Sequence, residues 1–103
     1  MKTDLEVLNF IKQFRELNAS KCFLNGMCYY FTVILERRFA ATRGIVIMYD
    51  QVMNHFATKI DNRIYDISGD VTDDPRFHWE SWRKVQETDA LLTERIIRDC
   101  IQK

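Results

Sequence analysis

Apolar positions along the chain follow a helical period twice, then a strand pattern, then a helical period again. Behind Thr3, residues Leu5, Leu8 and Ile11, with Val7, Phe10, Phe14 and Leu17, recur at helical spacing, while Lys12, Arg15 and Glu16 cover the remaining side. Thr3 and Glu6 have the spacing of a capping box, and the pattern fades near Asn18. A connection then leads to Gly26, with a short apolar piece at Cys22-Phe23-Leu24. The next helix is predicted over residues 27–39. Met27, Cys28, Tyr29, Tyr30, Phe31, Val33, Ile34 and Leu35 are so dense that its first turns need burial on most sides. Glu36, Arg37 and Arg38 return it to solvent, and the two basic residues suit the negative end of the helix dipole.

After Gly44 the composition changes. Residues 45–49 are a β-branched-rich, continuously apolar strand of the kind found inside a sheet. Residues 54–60 and 63–67 read as a hairpin, because Asp61-Asn62 tolerate positive φ and suit a two-residue turn. In that register Ile60 faces Arg63, Thr58 faces Tyr65, Ala57 faces Asp66 and His55 faces Ser68. His55 and Asp66 then form a diagonal pair on one sheet face, with backbones about 7 Å apart, within reach of a carboxylate-to-imidazole hydrogen bond. A slip of one residue would separate them. Phe56, Ile60, Ile64 and Ile67 divide between the two faces, so both should be at least partly covered.

Residues 70–76, which include Pro75, are expected to be loop. Trp79 and Trp82 at i,i+3 predict a helical turn within 77–85, packed on the sheet. Thr88 or Asp89 can cap a last helix whose apolar side is Leu91, Leu92, Ile96, Ile97 and Cys100. The expected product is one α+β domain spanning residues 1–103, with N-terminal helices packed on a short antiparallel sheet and a C-terminal helix.

Composition narrows the partners. The chain is 47% apolar and 29% charged, with three glycines and one proline, which opposes a disordered or low-complexity tail. Fifteen basic and fifteen acidic residues cancel, which disfavours nucleic acid as a partner, and the five basic residues Lys12, Arg15, Arg37, Arg38 and Arg43 read as solvated. The longest uncharged stretch, Cys22 to Leu35, falls short of the roughly 20 residues that cross a bilayer. The start is acidic too early for a secretory leader, and three cysteines do not make a disulfide framework, so a cytoplasmic location with reduced thiols is expected. No C-x₂₋₄-C pair is present, which disfavours structural zinc, and no cofactor is expected.

The candidate chemistry lies in three separated stretches: Asn25-Gly26-Met27-Cys28, Asn54-His55-Phe56 and Ile64-Tyr65-Asp66-Ile67-Ser68-Gly69. A thiol at a helix start meets unpaired N–H groups and the positive end of the dipole, which favours the thiolate. A neighbouring histidine takes the proton, and an aspartate fixes the ring. The Cys28 N–H is a candidate oxyanion donor, with Asn25 and then Asn54 as side-chain donors. Tyr29 and Trp79 are candidates for substrate contact. Trp79 and Trp82 are core cover that could also roof the His55–Asp66 pair, and His78 reads as a loop or helix-start residue.

At these residues the sequence resembles the papain-like cysteine peptidase and amidase superfamily in its broad sense, including the transglutaminase-like and arylamine N-acetyltransferase-like branches. The matching elements are Gly26-Met27-Cys28-Tyr29-Tyr30-Phe31, Asn54-His55-Phe56 and Arg63-Ile64-Tyr65-Asp66-Ile67-Ser68-Gly69. The resemblance implies a helix packed on an antiparallel sheet, with Cys28 as nucleophile, His55 as general base or acid and Asp66 as orienting group. It implies a cysteine-dependent hydrolase acting on an amide or related acyl bond, or an acyltransferase. A protein or peptide is the expected substrate or partner. The alternative from another class is a non-enzymatic phage or bacterial accessory protein that inhibits or recruits a macromolecule. Its motivation is the short chain and its seven Phe, four Tyr and two Trp, which cannot all be central.

Overall fold

Helix α1 (Lys2–Leu17) forms where the helical period is first seen and buries Val7 and Ile11 completely, with Leu8, Phe10 and Phe14 partly covered. They pack on Phe31 and Leu35 of helix α2 (Cys28–Arg38), on Phe39, and on Ile60, Tyr65 and Ile67 of the sheet region. Two residues expected in the apolar stripe of α1 are exposed, Leu5 at 62% and Leu17 at 84%. At about 100° per residue, Leu5 points almost opposite to Val7, and Leu17 is the last residue of the helix. The computed structural model describes residues 2–17, 28–40 and 44–98. The expected connection over 18–26, Asn25, Cys22, Cys100, Arg43 and the Thr3 side-chain cap lie outside the described residues and side chains.

Among the described residues the sheet has five strands: β1 (Val46–Asp50), β2 (His55–Ile60), β3 (Arg63–Asp66), β4 (Gly69–Asp70) and β5 (Trp79–Ser81). Their spatial order is β4-β3-β2-β1-β5, and every neighbouring pair is antiparallel. Asp61 and Asn62 make the β2–β3 turn at φ 50° and 71°. Positive φ at both central residues matches the twist of the flanking strands. The register is the expected one: Ile60 opposite Arg63, Lys59 opposite Ile64 and Thr58 opposite Tyr65.

Both faces are covered, by different means. Phe56, Thr58 and Ile60 alternate toward the helices: Phe56 joins Cys28, Tyr49, Trp82, Val85 and Ile96 in one cluster. Thr58 donates its hydroxyl to the Thr32 carbonyl at 3.1 Å, which satisfies a polar group in the buried α2–β2 contact. On the opposite face Ala57, Ile64 and Val71 form a smaller cluster under Met48, Phe77 and Trp79.

Three expectations for the second half of the chain are corrected. Asp70 does not lie in loop, because Gly69-Asp70 returns to pair with Asp66 and Tyr65. Trp79 is on an edge strand, opposite Asp50, and does not share a helix with Trp82. Ser81 ends that strand and accepts from the Lys84 N–H at 3.3 Å, so helix α3 (Trp82–Thr88) starts only at Trp82. Asp89 caps helix α4 (Ala90–Ile96) as expected, accepting from the Leu92 N–H at 3.0 Å. Leu91, assigned to its apolar side, is 81% exposed, while Ile96 is buried and Leu92 and Ile97 are partly covered. The structure is thus an α+β domain with N-terminal helices, a central antiparallel sheet and further helices after it. Among the described residues no helix is long and apolar enough to cross a membrane.

Candidate active site

The hairpin turn and its register bring His55, at the start of β2, to Asp66, at the end of β3. Their side chains meet with Nε2 of His55 2.9 Å from Oδ2 of Asp66. The other carboxylate oxygen is also occupied: Oδ1 accepts the Ser68 N–H at 2.8 Å and the Ser68 hydroxyl. The Asp-x-Ser turn between β3 and β4 therefore fixes the carboxylate, and the carboxylate fixes the ring.

Cys28 reaches the same imidazole from α2. The imidazole and the backbone N–H groups of Phe56 and Tyr29 lie close enough to act on its thiol. With Nε2 committed to Asp66, Nδ1 is the ring nitrogen left for the thiol. Cys28 is a free cysteine, and the three residues are nearly closed to solvent, at 5% for Cys28, 6% for His55 and 4% for Asp66.

Burial alone pushes the Cys28 thiol up, but the hydrogen bond and charge of His55, with the Phe56 and Tyr29 N–H groups, bring it below its ordinary value. Burial alone would lower the His55 pKa. Hydrogen bonds to Asp66 and Cys28, with their negative charges, instead raise it to about 9. Burial likewise disfavours the Asp66 carboxylate, yet His55 and Ser68 hold its pKa below the ordinary value. In all three groups the neighbours favour the charged form against the opposing effect of burial.

The aromatic cover over His55 is Phe77 with Trp79. The Phe77 ring lies 5.4 Å from the imidazole, nearly parallel at 23°, and Trp79 lies 6.0 Å away. Phe77 and Trp79 stack on each other at 4.7 Å. An imidazolium against an aromatic face gains a cation–π attraction and loses access to water. Trp82, the other expected roof residue, faces Tyr49 and Phe56 in the helix-side core.

The remaining candidates are more dispersed. Tyr29 is half-buried with its ring edge-on to Phe56, whereas Tyr30 is exposed. Asn54 is exposed at φ 51°, and its Oδ1 accepts the Tyr49 hydroxyl at 2.7 Å, so its carboxamide oxygen serves the turn before His55. His78 is exposed ahead of β5. Sequence reasoning missed Ser68, Phe77 and Asp50. The Asp-x-Ser spacing was a readable signal for Ser68; Phe77 and Asp50 act through contacts distant in the chain. Among the described residues no group of three or more His, Cys, Asp or Glu side chains could hold a metal ion.

Fold and site together are those of an α+β domain with a buried, hydrogen-bonded His55–Asp66 pair and Cys28 beside it. The chain belongs to the Phage YunG-like protein family, whose sequence pattern matches residues 7–98. No curated protein and no solved structure shows a match to it.

Proposed function

We propose that the protein is a cysteine-dependent hydrolase of amide or related acyl bonds, built on a papain-like core. The observation that carries this reading is the placement of His55 between the Cys28 thiol and the Asp66 carboxylate. Packing alone needs no such row, because a buried cysteine is ordinarily a small apolar group. In the proposed reaction the Cys28 thiolate attacks the carbonyl carbon, and the new C–S bond leaves a tetrahedral oxyanion. The Cys28 N–H and a further amide are the proposed donors to that oxyanion. Collapse breaks the bond to the leaving group, which takes the proton from His55. Neutral His55 then removes a proton from water, hydroxide attacks the thioester, and the acid product departs as Cys28 regains its thiolate and His55 its proton. Asp66 keeps the ring in one orientation throughout. An amine or alcohol in place of water would make the same cycle an acyl transfer.

The test is acylation of the folded protein by p-nitrophenyl acetate, read as a burst of nitrophenol and a mass increase mapped to Cys28. Cys28→Ala should abolish the adduct at that position, and His55→Ala should slow acylation by 10²-fold or more, the usual contribution of a general base. A wild-type protein that forms no Cys28 adduct would contradict the reading.

A second reading is a non-enzymatic accessory protein that binds a macromolecule. It draws support from the family's phage-associated name and from the near-complete burial of the three site residues. An acyl substrate reaches Cys28 only when the side chains around it part. On this reading Cys28→Ala and His55→Ala keep the biological effect and partner binding; on the hydrolase reading they lose the effect with the fold intact.

A further inference from the structure

Asp50 is a buried carboxylate that the proposed chemistry does not use. It is 0% exposed at the end of β1 and pairs across the sheet with two residues of the site region: His55 on β2 and Trp79 on β5. Its two oxygens point to the chain on either side. Oδ2 accepts the Met53 N–H at 2.7 Å, inside the turn that delivers His55. Oδ1 accepts the His78 N–H at 2.8 Å, between the two aromatic residues that cover the imidazole.

We propose that Asp50 is a positioning residue whose carboxylate fixes His55 and its Phe77–Trp79 cover against each other, so that the ring keeps one orientation toward Cys28 and Asp66. The inference rests on the cysteine-hydrolase reading. A turn cap alone would need only the acceptor facing Met53. The second oxygen reaches a backbone N–H 28 positions along the chain, between Phe77 and Trp79. β5 is only three residues long, and Phe77 precedes it. The aromatic cover therefore depends on what holds its approach to the sheet. A carboxylate accepting two N–H bonds does this where a neutral side chain would not, since charged acceptors make roughly twice the bond. The Tyr49 hydroxyl on Asn54 steadies the same turn from the helix side.

Asp50→Asn tests this. The amide keeps the size and one acceptor oxygen but sets an NH₂ group against a backbone N–H, so one of the two fastenings is lost. The readouts are the His55 ring titration by NMR and the pH midpoint of Cys28 alkylation by iodoacetamide, each in wild type, Asp50→Asn and Val7→Ala. Val7→Ala opens a cavity between α1 and the helix-side core and controls for general loosening. In Asp50→Asn the His55 titration should fall by about one unit and the Cys28 midpoint should rise, with neither moving in Val7→Ala. Titrations in Asp50→Asn that match wild type, or equal movement in both variants, would overturn the proposal. Ordinary titrations of both groups in wild type would instead remove the hydrolase reading, and this inference with it. If Asp50→Asn does not fold, Phe77→Leu takes its place. It keeps apolar cover but removes the aromatic face, and an unchanged His55 titration there overturns the proposal.

Discussion

His55 and Asp66 meet diagonally across the β2–β3 hairpin, with Nε2 2.9 Å from Oδ2, in a pair almost entirely closed to solvent. The contact follows from a turn of two residues and from the identity of the next eight. The chemistry at one end of the hairpin is thereby tied to backbone conformation at the other.

That tie predicts the effect of Asn62→Val. Asn62 sits at φ 71°, which a β-branched residue resists. The left-handed conformation costs an ordinary residue roughly 1–2 kcal/mol, so stability should fall by about that much. Chemical denaturation measures the loss. Asn62→Gly, which adopts this φ freely, should be neutral or stabilising.

Asp66→Ala should be more damaging. It leaves His55 buried without its partner and strips the Ser68 N–H and hydroxyl of their acceptor. Removing one member of a buried pair typically costs about 3–5 kcal/mol. The denaturation midpoint should drop accordingly, with part of the loss recovered in Asp66→Asn, which can still accept from the ring.

Stability against pH has a definite shape. The folded His55 pKa of about 9 is above the ordinary 6.5, so its contribution is complete below 6.5 and is lost as pH rises through about 9. Cys28 moves the other way: its folded pKa is below 9.0, and its contribution grows as pH rises toward that value. Where the folded protein is already the ion pair, folded and unfolded states hold the same one proton on these two groups between 6.5 and 9.0, and stability is flat. Cys28→Ser removes the compensating group. Its stability should decline through the lower part of that window at up to about 1.4 kcal/mol per pH unit. Asp66, held below 3.8, adds a loss at the acid end as pH falls through its folded value. Urea midpoints at half-unit pH steps would measure these slopes.

The sequence was most legible where one local signal decided the outcome. Asp61-Asn62 set the hairpin register, and with it the approach of His55 to Asp66. Asp89 marked the last helix start. The i,i+3 spacing of Trp79 to Trp82 suits a helix, but Trp79 lies on a strand. Its strand partner Asp50 is 29 positions earlier, and no local pattern records that pairing. Leu91 falls on the apolar side by spacing yet is exposed, because periodicity does not say where a seven-residue helix stops touching its neighbours. Asp50 and Phe77 escaped for the same reason as Trp79: their roles exist only once β5 lies beside β1.

If His55 holds Cys28 as a thiolate, the pH dependence of Cys28 alkylation reports it. Folded wild type and His55→Ala are treated with iodoacetamide across the pH range, and modification at Cys28 is followed by peptide mapping. The wild-type midpoint should lie below the ordinary thiol value of 9.0, and that of His55→Ala at or above it, where burial acts without the imidazole. A wild-type midpoint at the ordinary thiol value, unmoved by His55→Ala, would contradict it.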